Sequence, residues 1–274
     1  MQVQVLLSAR RGELRESYGE ASRKGELRES YGEASRKGEL REPTYKFMIG
    51  IIGALDSEVN SLIADLSDIT TKDISGIKFF SGHYNDKEIV IAKSGVGKVF
   101  AAMCAEAMIL NFNVDKIIHI GIAGLLDETI DINGVAIASS VVQHDMDSTA
   151  LGDPPGKILE TDLTYFPCSK KLIEEFSKVA DSIGIKYKIG IIASGDQFVA
   201  DEKTKKRIVD TFSAIACEME GAATGQVSFV NGIDFIVIRA FSDSAGDESK
   251  NDYWNEKYNA SDRATSLIKA YLSA

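Results

Sequence analysis

A chain of 274 residues, 44% hydrophobic and 26% charged, has a globular composition and enough apolar surface for one sizeable core. Its formal net charge of -10 argues against a nucleic-acid partner, because no extended basic face is available to neutralise phosphates. No apolar run approaches the roughly 20 residues that span a bilayer, so no membrane partner is expected. Cys104, Cys168 and Cys217 show no paired spacing. With no signal peptide visible, they are expected as reduced thiols of a cytoplasmic protein.

The first 45 residues stand apart. Gly12–Lys24 recurs unchanged as Gly25–Lys37, and a third copy starts at Gly38 and breaks off at Glu42. A solenoid needs imperfect repeats that share a buried stripe, and each copy here offers one Leu and one Tyr. Residues 1–45 are therefore expected to be a non-native or disordered arm, or a loosely attached charged helix. The folded domain is expected to cover residues 46–274, with Met48 a plausible natural start.

From there the pattern is regular. Phe47–Ala54 predicts an apolar strand that ends in small residues. Asp56-Ser-Glu58 opens a helix with Val59, Leu62, Ile63 and Leu66 on one face. Ile77–His83 and Lys87–Lys93 predict a hairpin around Tyr84-Asn-Asp. Ser94-Gly-Val-Gly-Lys98 then leads into a helix over 99–111. Lys116–Gly121 is the next strand, ending in Ile122-Ala-Gly124. Gly134–Val142 follows, ending in Gln143-His-Asp-Met-Asp147. After a loop with Pro154-Pro-Gly156 come a helix over 169–183 and a strand over 187–193 that ends in Ser194-Gly-Asp196. A helix over 201–212 has Asp201 as N-cap. A short strand over 214–216 runs into Cys217-Glu-Met-Glu220 and a helix of small residues. Phe235–Asp243 is a β-branched run that stops abruptly in polar groups, the pattern of a strand buried on both faces. A helix over about 251–272 closes the chain.

Strands alternating with helices imply an α/β fold in one domain, with a mixed, mostly parallel central sheet flanked by helices. Ligands of such sheets bind just outside the carboxyl ends of the strands. Several strand ends here share one pattern, namely apolar residues, then small ones, then a carboxylate or hydroxyl.

The chemistry available at those ends is acidic. Gly95-Val-Gly97-Lys98 lacks the spacing of a Walker loop, and no Gly-x-Gly-x-x-Gly follows the first strand. The glycines serve either a tight turn or a close approach to a ligand. Glu58, in the first turn of a helix, is either a solvated carboxylate or a site residue. Glu218 and Glu220 diverge where a strand gives way to a helix, so one can face a site while the other caps or pairs. A carboxylate can accept two hydrogen bonds from vicinal hydroxyls. Ser242-Asp243 reads as an N-cap pair or as part of the site. His83, His119 and His144 lack metal-ligand spacing, so neither metal nor cofactor is expected. His144-Asp145 could orient one another or simply form a loop. No Gly-x-Ser-x-Gly elbow is present.

Five motifs in this order say more: Gly53-Ala-Leu-Asp-Ser-Glu58-Val, Ser94-Gly-Val-Gly-Lys-Val99, Ser194-Gly-Asp196-Gln-Phe198, Cys217-Glu-Met-Glu220-Gly and Arg239-Ala-Phe-Ser-Asp243. From Met48 to about the C-terminus the chain closely resembles the 5′-methylthioadenosine/S-adenosylhomocysteine nucleosidases of the purine nucleoside phosphorylase superfamily. Glu58 in its Gly-Ala-x-x-x-Glu-Val setting points to the hydrolase branch. The resemblance implies a nucleoside phosphorylase-like fold, a homodimer, an adenine nucleoside as substrate, and release of adenine. It implies Asp243 as the acid that protonates purine N7, Glu58 as the base that activates water, and Arg239 near that water. It implies Glu220, with Met219 beside it, as the clamp on the ribose hydroxyls. Phe198 would stack on adenine and the backbone of Val199 would meet its edge. Val96, Ala123, Gly124, Glu218 and Ser242 would complete the substrate site, and Trp254 or Tyr253 would line the thioether end. Two positions depart from the family. Ile120-Gly-Ile-Ala-Gly-Leu125 stands where many members have Thr-Gly-Ser-Ala-Gly-Gly, so Ile122 replaces a hydroxyl that a phosphorylase would use on phosphate. Leu151 stands where an aromatic often reaches into a neighbour's site. The alternatives are a phosphate-dependent purine nucleoside phosphorylase, a futalosine-type hydrolase, and a non-catalytic nucleoside-binding protein.

Overall fold

A computed structural model describes residues 48–274. The repeat arm, the domain boundary at residue 46 and the start of the first strand at Phe47 lie outside the described residues. The chain order is β1 (Met48–Gly53), α1 (Asp56–Ala64), β2 (Ser67–Ile74), β3 (Ile77–Tyr84), β4 (Lys87–Lys93), α2 (Lys98–Phe112), β5 (Val114–Leu125) and β6 (Val135–Gln143). It continues with β7 (Tyr165–Pro167), α3 (Lys170–Ile183), β8 (Tyr187–Ser194), α4 (Glu202–Phe212), β9 (Ala214–Glu218), α5 (Gly221–Val230), β10 (Asp234–Asp243) and α6 (Ser249–Ser273).

The long apolar runs do what their composition dictates. Every residue of β10 after Asp234 is buried, as expected for a strand covered on both faces. Asp201 caps α4 by accepting a hydrogen bond from the Thr204 backbone N–H at 2.8 Å. Two strands escaped the sequence pattern. β2 is polar and exposed along almost its whole length, an edge strand held by β3 with no burial signal to betray it. β7 is only three residues long and borders β6.

The sheet runs β2-β3-β4-β1-β5 and then branches. β5 pairs in parallel with β10 and, through its last residues, antiparallel with β9. β10 continues through β6 and β8 back to β9. Strands β5, β10, β6, β8 and β9 therefore close a ring. α2 and α5 contribute Cys104, Met108 and Ala222 to the core on one face. α1, α3 and α6 contribute Leu62, Phe176 and Leu267 to the core on the other.

Gly124 is where the ring closes. It pairs with Asp243 of β10 and with Cys217 of β9, and the β5–β10 ladder skips Ser242. Such irregularities re-aim side chains at sheet rims. A Cβ at Gly124 would lie 2.9 Å from the Ala245 Cβ and 3.0 Å from Asp243 Oδ1, closer than packing permits. Gly124→Ala is expected to cost about 1–3 kcal/mol of stability in urea denaturation. A cost near zero would mean that this junction is not tightly packed.

Candidate active site

The ring and the first strand place several strand ends around one cavity of about 420 Å³. Because β5 and β9 meet antiparallel by their carboxyl ends, Glu218–Glu220 face Ile122–Gly124 across the gap. The other walls are Ala54, Leu55 and Glu58 after β1, Val96 after β4, and Gln197–Val199 after β8. Ser242 and Asp243 end β10, and Lys250, Tyr253 and Trp254 descend from α6.

Four carboxylates lie in or under this cavity, and each is held differently. Glu58 is buried and bends back from the first turn of α1. Its Oε2 accepts hydrogen bonds from the backbone N–H groups of Ala54 (2.6 Å) and Leu55 (2.8 Å), and its Oε1 accepts one from Ile122 (3.1 Å). Burial raises its pKa above the ordinary value, against the pull of the Arg239 charge and the three N–H donors. Oε2 is saturated, whereas Oε1 keeps a lone pair for a further donor.

Glu218 points under the cavity floor. Its Oε2 accepts from Arg239 Nε at 3.1 Å and Nη2 at 2.5 Å, and both residues are almost fully buried. Gly221 N–H and Ser194 Oγ–H also donate to Glu218, so strand β8 shares in the cluster. Arg239 Nη1 donates to the carbonyl oxygen of His119. A Cβ at Gly121 would lie 2.7 Å from Glu58 Oε1 and 3.3 Å from Arg239 Nη1, so glycine there lets acid and guanidinium approach.

Glu220 turns the other way. Its Oε1 accepts the Gly97 backbone N–H at 2.8 Å, and its Oε2 has no partner among the described residues. Burial, and then the Glu218 charge, raises its pKa. The glycine turn thus combines both readings of its sequence: Gly97 has φ +100°, and its N–H approaches a site carboxylate.

Asp243 does not cap a helix. Its Oδ1 accepts from the Ala245 N–H at 2.9 Å and its Oδ2 from Ser242 Oγ at 2.8 Å. Burial raises its pKa, and the Ser242 and Ala245 hydrogen bonds only partly offset this. The buried thiol of Cys217 also lines the cavity, but burial and the charges of Asp243 and Glu218 raise its pKa, so it is no thiolate nucleophile. Among the described residues no group of three His, Cys, Asp or Glu is suited to hold a metal.

The sequence model of the phosphorylase superfamily matches residues 48–273. A 5′-methylthioadenosine/S-adenosylhomocysteine nucleosidase of Staphylococcus aureus (strain JH9) is 39% identical over 204 residues, covering 74% of this chain and 89% of the relative. The chain belongs to this nucleosidase family. Among solved structures, an S-adenosylhomocysteine nucleosidase from Streptococcus pyogenes in complex with 5-methylthiotubericidin superposes with a TM-score of 0.80 and 31% identity, over 84% of this chain and 98% of that one. A futalosine hydrolase from Helicobacter pylori also superposes with a TM-score of 0.80, at 34% identity, over 83% and 98% of the two chains.

Set against the nucleosidase family, the predicted residues fall into two groups. Glu58, Val96, Ala123, Gly124, Phe198, Val199, Glu218, Met219, Glu220, Ser242, Asp243 and Trp254 all line the cavity. Arg239 does not. It lies behind the wall, committed to Glu218, and reaches the site only through its charge and through Glu218. Leu151 sits in a short 3₁₀ turn, 78% exposed and away from the cavity. The sequence reading missed Ser194 as a support of Glu218 behind the cavity wall, although its place at the end of an apolar strand carried the signal. It also missed Lys250 and Gln197, which carry no such signal. His119 Nδ1 pairs with Thr224 Oγ1 at 2.8 Å, and burial keeps the ring neutral beside Arg239.

Removing Arg239 would strand a buried carboxylate. Arg239→Met is expected to cost about 3–5 kcal/mol in urea denaturation, and adding Glu218→Gln should restore a large part of it. A single variant as stable as wild type, or a double variant no better than the single, would show that the pair is not an energetic unit.

Proposed function

We propose that this protein hydrolyses the N-ribosidic bond of 5′-methylthioadenosine and S-adenosylhomocysteine and releases adenine. The observation that carries the reading is that, besides Glu218 with its Arg239 partner, three buried carboxylates share one largely apolar cavity while being held by different partners. Asp243, whose pKa is raised by burial, is suited to hold a proton and donate it to purine N7. As that proton arrives, the bond between ribose C1′ and purine N9 breaks, and adenine leaves as a neutral base. The ribosyl carbon becomes an oxocarbenium ion. Glu58, with its lone pair on Oε1, accepts a proton from the water that attacks C1′. Glu220, through its unpaired Oε2, accepts hydrogen bonds from the ribose hydroxyls, beside Met219. Phe198 stacks on adenine, and its ring is itself met edge-on by Tyr253 at 5.5 Å. The Val199 backbone meets the base edge, and Tyr253 and Trp254 surround the 5′ thioether.

A phosphate nucleophile fits this cavity poorly. It would have to sit by the buried Glu58 carboxylate, with Arg239 already engaged and Ile122 in place of a hydroxyl. Futalosine is a second candidate substrate, on the strength of the Helicobacter pylori neighbour. In this reading residues 46–274 form the nucleosidase domain, and 1–45 are an appended arm. The exposed apolar residues Val99, Phe100 and Met103 of α2 support association into a homodimer. A cytoplasmic enzyme of methionine salvage completes the picture implied by the family.

Adenine release from 5′-methylthioadenosine, S-adenosylhomocysteine and futalosine, with and without phosphate, tests the proposal. Release of adenine from the two thioethers in phosphate-free buffer is expected. Asp243→Asn and Glu58→Gln should each lower kcat by about 10²–10⁴-fold. Strict phosphate dependence would instead make the protein a phosphorylase. Binding without turnover by the wild type would make it a nucleoside-binding protein, and an unimpaired Asp243→Asn would remove the acid from the mechanism.

A further inference from the structure

Three charged residues in motifs of unassigned purpose come together beside the cavity. Lys98 Nζ donates to Asp145 Oδ1 at 2.6 Å, and the Lys98 backbone N–H donates to Asp196 Oδ1 at 2.8 Å. The Asp196 backbone N–H donates to Asp145 Oδ2 at 2.9 Å. Each residue thus touches the other two, and the three form a closed cycle. Lys98 opens α2 after β4, while Asp145 and Asp196 lie in the loops after β6 and β8, far apart in sequence. Lys98 Nζ has a further acceptor in Gln143 Oε1 at 3.1 Å.

The cycle adjoins groups that hold substrate in the proposed reaction. Gly97, next to Lys98, directs its N–H to Glu220, the ribose clamp. Consecutive N–H groups at the start of α2 thus serve Glu220 and Asp196, where the helix dipole favours negative charge. Phe198 follows Asp196 by two residues and faces the cavity, as does Val96, two residues before Lys98. Asp243 and Glu58 have no bond to the cycle among the hydrogen bonds of the described residues.

We propose that Lys98, Asp145 and Asp196 form a polar clip that positions the ribose clamp and the adenine-stacking loop, making them positioning residues for substrate binding. This inference rests on the nucleosidase reading. The clip governs groups that bind ground state and transition state alike and leaves the acid and base alone. Its loss therefore raises KM and spares kcat. Two of the three charges are largely covered, with the Lys98 side chain retaining 18% of its accessible surface and Asp145 28%, while Asp196 retains 50%. The Lys98–Asp145 pair is therefore less screened than a free surface pair.

The test is a double-mutant cycle on adenine release from 5′-methylthioadenosine, with circular dichroism and thermal denaturation confirming the fold of each variant. Lys98→Met and Asp145→Ala are each expected to raise KM by about tenfold with kcat within about threefold of wild type. The double variant is expected to resemble the worse single, because each change opens the same cycle. Should Asp145→Ala not fold, the isosteric Asp145→Asn, which keeps one acceptor, is expected to show a smaller rise in KM of the same kind. An unchanged KM in the single variants, a fall in kcat that accounts for the whole loss, or multiplicative losses in the double variant would each overturn the clip. A wild type that releases no adenine would overturn the nucleosidase reading instead, so the two failures are distinct.

Discussion

A guanidinium with 1% of its surface exposed lies beneath the cavity floor, and much of the site depends on it. Arg239 and Glu218 tie the middle of β10 to the end of β9 across the closing ring. A buried ion pair of this kind gains little net stability, because desolvating both charges costs nearly as much as their attraction returns. What it provides is placement. Glu218, fixed by Arg239 and Ser194, presents its carboxylate to the N–H groups of Glu220 and Gly221 and so sets the start of α5. The same positive charge opposes the rise that burial imposes on the Glu58 pKa. An apolar residue in place of Arg239 would fill the space, but Glu218 and Glu58 would lose their countercharge.

Ring closure at Gly124 supplies the second constraint. β10 arrives in parallel and β9 antiparallel at one glycine, so residues distant in sequence become neighbours. The carboxylates at these ends then differ by surroundings rather than by type. Glu58 is held by three backbone N–H donors, Glu220 by one, and Asp243 by one N–H and a hydroxyl. One chemical group is thereby presented to the cavity in three different surroundings.

Much of the fold was legible because it follows local rules. β10 announced itself by a β-branched run that stops at Ser242-Asp243, and α4 by its Asp201 cap. β2 was hidden because an exposed edge strand needs no apolar alternation. The ring was hidden too, since the β5–β9 and β6–β10 pairings join segments that no periodicity links. In the site, strand-end carboxylates pointed to the cavity, and the family resemblance assigned their tasks. The choice between Glu218 and Glu220 could not be made from two glutamates on either side of Met219. It is decided by Arg239 on one side and the Gly97 turn on the other. Arg239 was expected near the water because the family resemblance implied it. Its partner lies 21 residues away on another strand. Lys98 and Asp145, 47 residues apart, gave no sign of meeting.

Division of labour between a protonated Asp243 and an ionised Glu58 is the central claim, and the pH dependence of kcat for adenine release tests it most directly. Activity should fall at acid pH as Glu58 takes up a proton, and fall again at alkaline pH as Asp243 loses the proton it must donate. In Asp243→Asn the residual rate should lose the alkaline limb while keeping the acid one. An alkaline limb that survives in Asp243→Asn would contradict the account, because another group would then be the proton donor.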